Sequence, residues 1–282
     1  MKNLIKQILK EYAEEQEKVL TIPSFKLFNN NWNTLRRFLK SKGNPKWKIL
    51  DHLNLYDSKI KSLGNLTSVE GALNLRDTPI ESLGKLTSVG GYLNLFNTPI
   101  QSLGNLHSVG GDLNLYDSKI KSLGNLTSVE GDLFLQNTPI KSLGNLELVG
   151  GDLYLANSTI KSLGNLKLVE GDLYLYNTPI ESLGKLTSVG GYLDLRNTPI
   201  QSLGNLHSVG GYLYLYNTPI ESLGNLQSVD RTLDLSNSSI KSLGNLKYVG
   251  RDLILSNTPI SKKYTKEEIR QMVKVKGDIY MQ

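Results

Sequence analysis

A Leu-x-Leu pair begins at Leu53 and returns every 20 residues, with no insertion, until Leu253, so the chain writes one sentence eleven times. Such a period constrains the fold more than any composition does. Each unit is too short to bury its own apolar side chains and must cover them with its neighbours, which is the condition for a solenoid. In the copy spanning 171–190, GDLYLYNTPIESLGKLTSVG, the apolar positions are Leu173, Leu175, Ile180, Leu183, Leu186 and Val189. Leu173 and Leu175 alternate with Tyr174 and Tyr176 as strand residues do, whereas Pro179 and Gly184 would break a helix through the following ten residues. The pattern predicts one strand per repeat, with turns and short extended pieces making up the rest. Thr178 is pushed toward extended geometry by Pro179, and proline recurs at this corner in seven repeats. Gly184 and the Gly190-Gly191 pair mark further corners, through positive φ or close backbone approach.

The array has ends, and both read as caps. Residues 1–48 are expected to form a helical N-terminal cap: Leu4, Ile5, Ile8, Leu9 and Tyr12 make an apolar stripe, and NTLRRFLKSKG predicts a second helix begun at Asn33 and ended at Gly43. Ile49 then takes the valine slot of the first coil, and residues 49–260 hold the eleven repeats. Residues 261–282 are expected to close the array with a short helix N-capped by Thr265 and a last strand whose Ile279 lies 26 residues after Leu253.

The pattern LYLYNTPIESLGKL resembles leucine-rich repeat proteins, and more closely the bacterial relatives of receptor L domains, over residues 49–260. It departs from the leucine-rich motif in two places: Glu170 or its glycine equivalents replace the first leucine, and Thr178 stands where asparagine is usual. The resemblance implies a mainly β, right-handed, single-chain parallel β-solenoid of the flatter L-domain type, binding through its parallel sheet. Arrays of this style with N-terminal helices also resemble bacteriophage and marine-bacterial proteins.

Composition narrows the class. With 39% hydrophobic residues the chain can form a core, and with no cysteine it can form neither a disulfide framework nor a cysteine-based metal site. Lysines and glutamates interrupt the first 20 residues, so neither a signal peptide nor a membrane span is expected, and the expected location is cytoplasmic or virion-associated. The net charge of +6 belongs to the ends: residues 1–50 carry +7 and residues 261–282 carry +3, while residues 51–260 carry −4. A nucleic-acid partner for the repeated body is therefore not expected.

Function should lie in the letters that vary. Three columns flank the inward leucines, and ten of the 14 tyrosines stand in them. Phe134, Tyr154, Tyr174, Tyr176, Tyr192, Arg196, Tyr212, Tyr214 and Tyr216 form the densest part. Aromatic area with interspersed charge is the chemistry of a surface for a protein or glycan partner. Cross-strand stacking that serves stability alone would place the same residues there. Asp112, Asp132, Asp152 and Asp172 form an acidic stripe at ladder spacing, read either as a solvated row or as a row covered by a cation or basic partner. Asp57, Asp77, Asn97 and their successors read as turn residues whose side chains bond the local backbone. His107 and His207 are five coils apart, about 24 Å at ladder spacing, and His52 stands alone, so no metal or other cofactor is expected. Uniform coils build no cleft to set two carboxylates apart in pKa, so no enzyme is expected. The remaining reading is a structural or assembly component docked through the basic N-terminal segment. TPIESLGKLTSVGGYL at 78–93 recurs unchanged at 178–193, yet Asn74 and Arg76 face Tyr174 and Tyr176 across that offset. The scaffold was copied and its outer letters diverged.

Overall fold

The computed structural model describes residues 19–281, so the expected helix bearing Leu4, Ile5, Ile8, Leu9 and Tyr12 lies outside the described residues. Within them the chain is a mainly β, all-parallel solenoid built from two sheets of 12 and 13 strands. The Leu-x-Leu segments form the first. Leu173–Tyr174 pairs with Leu153–Tyr154 on one side and Leu193–Asp194 on the other, always 20 residues apart. The Leu173 N–H donates to the Tyr192 carbonyl at 2.7 Å and the Leu175 N–H to the Asp194 carbonyl at 2.9 Å, a pattern repeated down the array.

The second sheet refines the expectation of one strand per repeat. Strands such as Ser188–Val189, paired with Ser208–Val209, run the full length of the solenoid with valine buried and serine partly exposed. Two residues are too few to show alternation, so this ladder hides among the turns of the sequence. A third side is tied by single bridges such as Ser62 to Ser82 and Ser162 to Ser182.

Leu173, Leu175, Ile180, Leu183, Leu186 and Val189 are all buried in one continuous core. A seventh inward position is polar. Thr178 is 3% exposed and its hydroxyl donates to the Leu175 carbonyl at 2.6 Å, so the residue standing in the usual asparagine place returns its polar group to the backbone.

The corners separate two roles for glycine. Gly184 has φ of 60°, a left-handed value. Gly190 does not; a Cβ there would lie 2.0 Å from the Glu170 carbonyl oxygen, so close coil stacking requires it. Asp57 through Asn257 are all left-handed, with φ between 51° and 57°, which confirms the turn and corrects its bonding. Their side chains point along the stack: Asn97 Nδ2 donates to Asp77 Oδ1 at 2.8 Å and Asn217 Nδ2 to Asn197 Oδ1 at 3.1 Å. The side chain that closes on its own backbone is three residues earlier, where Asn54 Oδ1 accepts the Tyr56 N–H at 3.1 Å. Asn74, Asn94, Asn114, Asp194 and Asp234 repeat that bond.

At the N-terminal end, Leu20–Ile22 pairs with Trp47–Ile49, and Ile49 aligns with Val69 as expected. The helix runs Trp32–Ser41, and its cap lies two residues before the expected Asn33, because Asn31 Oδ1 accepts the Thr34 N–H. At the other end Thr265 caps Lys266–Met272 through a complete capping box with Glu268, and Ile279–Tyr280 pairs with Leu253–Ile254. An unforeseen helix, Pro259–Lys263, precedes it. There Lys262 and Lys263 replace the Ser-Leu of the repeat and no glycine corner follows, so Pro259 starts a helix instead of turning the coil.

Candidate recognition face

Strand alternation sends the residues beside the buried leucines to one outer wall, and the 20-residue register stacks like positions on neighbouring coils. The expected site residues come together in two clusters. Phe134, Tyr154 and Tyr174 form one stack, with centroids 4.9 Å apart at each step and rings 4° and 8° from parallel. In the second, Tyr212 lies parallel to Tyr214 at 5.8 Å and meets Tyr192 edge-on at 5.0 Å. Arg196 joins Tyr176 and Tyr216 to the second cluster, its guanidinium 5.8 Å from the Tyr176 ring, 5.4 Å from Tyr214 and 5.9 Å from Tyr216. Asp194, 3% exposed, holds that guanidinium from below in a two-pronged pair whose Nε bond measures 2.7 Å.

The face is less open than its composition implies. Tyr192 is 39% exposed, while Tyr154, Tyr174, Tyr176, Tyr212, Tyr214 and Tyr216 are half-buried against one another. Tyr154 and Tyr174 also donate their hydroxyls inward, to Asp152 Oδ2 at 2.8 Å and Asp172 Oδ2 at 2.7 Å. Burial first, then that bond to a carboxylate, pushes the Tyr154 phenol up to about 12. The same causes in the same order raise Tyr174. Burial likewise raises Tyr214, and the bond that Arg196 donates to Asp194 raises the guanidinium.

The aspartate column has a backbone partner in every coil. Asp112 Oδ1 accepts the Asp132 N–H at 2.9 Å, Asp132 the Asp152 N–H at 2.8 Å, Asp152 the Asp172 N–H at 2.7 Å and Asp172 the Tyr192 N–H at 2.7 Å. Four stacked carboxylates thereby extend the ladder past the strand ends, and each accepted N–H offsets part of the mutual repulsion. Nothing in a single repeat reveals this, since the donor belongs to the next coil. Among the described residues no three His, Cys, Asp or Glu side chains gather as a cation cage.

A further cluster was not singled out in sequence. Phe96 and Tyr116 stack at 5.6 Å, and the Arg76 guanidinium sits 4.5 Å from the Phe96 ring while its Nε reaches Asp77 at 3.1 Å. The Asn97 amide first, and Arg76 second, hold the Asp77 carboxyl below the usual range. Its signal was the same aromatic-beside-arginine pattern, in the first copy of the duplicated block. The opposite charged column, by contrast, pairs internally: Lys61 with Glu81 at 3.0 Å, Lys161 with Glu181 at 2.9 Å and Lys241 with Glu221 at 2.6 Å.

Compared with family models, curated proteins and solved structures, the chain matches none. Among the described residues no helix is long and apolar enough to cross a membrane.

Proposed function

We propose that the chain is a non-catalytic binding module that recognises a protein or glycan on the tyrosine-rich wall of its Leu-x-Leu sheet. The observation that carries this reading is the Arg196 cluster, where a buried aspartate holds the guanidinium from below among the half-buried rings of Tyr176, Tyr214 and Tyr216. Side chains fixed before binding lose little entropy on contact, the property that makes tyrosine and arginine effective in interface centres. The parallel solenoid supports the resemblance to leucine-rich and receptor L-domain repeats at the level of architecture, and a lineage among phage or marine-bacterial repeat proteins belongs to the same proposal. The absence of cysteine suits a reducing cytoplasm or virion interior.

A second reading, assembly through the basic end, is favoured by one observation: residues 19–50 hold seven Lys and Arg and no acidic residue. Affinity capture from the native source separates the two. Tyr174→Ala with Tyr214→Ala should lose the partners retained by the unaltered chain, while Arg36→Glu with Arg37→Glu should keep them. The opposite outcome transfers function to the cap. Equal loss of partners and of thermal stability in the tyrosine variant would return those rings to a purely structural role.

A further inference from the structure

The two sheets end differently at the N-terminal side. Leu20–Ile22 adds a thirteenth strand to the Ser-Val sheet, but Leu53–Asn54 is the last strand of the other sheet and has no strand beyond it among the described residues. In the second coil the carbonyls of Ala72, Asn74 and Arg76 each accept an N–H from the first coil, at 2.8, 2.8 and 3.1 Å. The corresponding carbonyls of His52, Asn54 and Tyr56 accept none from the described residues. By strand alternation the Asn54 N–H faces the same open side.

That edge borders real space. A cavity of about 770 Å³ lies between Asn54–Ser62 and the start of the helix at Asn30–Asn33 and Arg36. A second, of about 430 Å³, lies between His52, Asn54 and Tyr56 and the turn at Phe25 and Lys26. The two share Asn30, Asn54 and Tyr56 in their walls, so together they make a trough along the open edge.

We infer that this trough receives an extended acidic peptide of a partner, added as a further parallel strand on the Leu53–Asn54 edge. Main-chain bonds to the three open carbonyls and from the Asn54 N–H supply the docking, the mode by which exposed sheet edges capture peptides. Charge selects the occupant. Lys26, Arg36 and Lys59 line the trough and are exposed, Lys61 beside them is paired with Glu81, and the neighbouring cap contains no acidic residue from 19 to 50. Of the two carboxylates there, Asp51 is engaged by Ser24 Oγ at 2.6 Å and Asp57 lies 3.8 Å from Lys59. A second copy stacking its Ile279–Tyr280 strand on this edge would bring a C-terminal segment of net charge +3 against a cationic cap. Residues 1–18 hold four Lys and four Glu, and so have no net charge to match it.

The test uses the full chain and fluorescence anisotropy with a short labelled peptide alternating Glu and Val. Its counterparts carry Lys for Glu, or N-methyl groups on alternate amides. The acidic peptide should bind, with affinity falling about tenfold or more on N-methylation, on exchange to Lys, and with Lys26→Glu and Arg36→Glu together in a folded variant. Equal binding of the methylated peptide would exclude strand addition. No binding of the acidic peptide, or concentration-dependent self-association that blocks it, would overturn the proposed occupant.

Discussion

At the scale of single residues the fold depends on pairs that the period hides, because partners sit one coil apart. Gly151 is an example: a Cβ there would stand 2.2 Å from Asp132 Oδ1 and 2.8 Å from both the Asp132 amide nitrogen and the Gly131 carbonyl carbon. Gly151→Ala should destabilise the chain by about 1–3 kcal/mol in denaturant unfolding, as overpacking does. Adding Asp132→Ala should recover part of that loss, since the side-chain clash, the shortest of the three, disappears; strict additivity of the two changes would refute the coupling. Thr178 and its equivalents suggest a change of opposite sign. Ser118 is buried at the same position and its hydroxyl has no partner among the described residues, whereas Thr98 and Thr138 donate to the carbonyls three residues earlier at 2.8 and 2.6 Å. β-branching restricts the rotamer and adds a buried methyl, so Ser118→Thr should raise stability by about 0.5–1 kcal/mol. An unchanged or lower unfolding midpoint would show that the Ser118 site lacks room for the methyl.

At the scale of elements, the inward leucines and the Leu-x-Leu strand were legible because alternation and period coincide there. The second sheet was not, because Ser188–Val189 is too short to alternate, and the helix cap moved from Asn33 to Asn31 because either asparagine can cap by type alone. Composition placed the tyrosines on one wall but could not show their hydroxyls turned inward. This orientation has a measurable consequence. Folded Tyr154 holds its proton to about 12, against about 10 for an unperturbed phenol, so above that lower value the unfolded chain releases the proton first. Stability from Tyr154, and in the same direction from Tyr174, is therefore complete below pH of about 10 and lost as pH rises from there. Tyrosinate absorbance should show these two phenols titrating last, and Tyr154→Phe should flatten the alkaline fall in unfolding midpoint. A titration in which all tyrosines ionise together would contradict the inward bonds to Asp152 and Asp172.

At the scale of the whole molecule the coil is the unit of construction, and each coil depends on its neighbours through backbone ladders on two sheets and a continuous apolar interior. Equivalent positions in successive coils have the same environment, so removing one whole period rejoins like with like. Deleting residues 91–110 places Gly111 directly after Gly90, restores the Gly-Gly corner at the seam and sets Leu113–Asn114 on Leu73–Asn74 in the register that Leu93–Asn94 now occupies. Such a chain should keep its β circular dichroism and unfold cooperatively, with a denaturant slope reduced roughly in proportion to the surface removed. Deleting residues 91–100 instead takes half a period: Leu103 still falls in the Leu93 slot, but Asn105, Gly110 and Lys119 are carried to where Leu95, Ile100 and Val109 pack. Every coil beyond the seam then loses its match to those before it, and this variant should fail to accumulate as a folded monomer. If both deletions behaved alike, stability would reside in the two caps rather than in coil-to-coil stacking, and the solenoid would be a passenger between them.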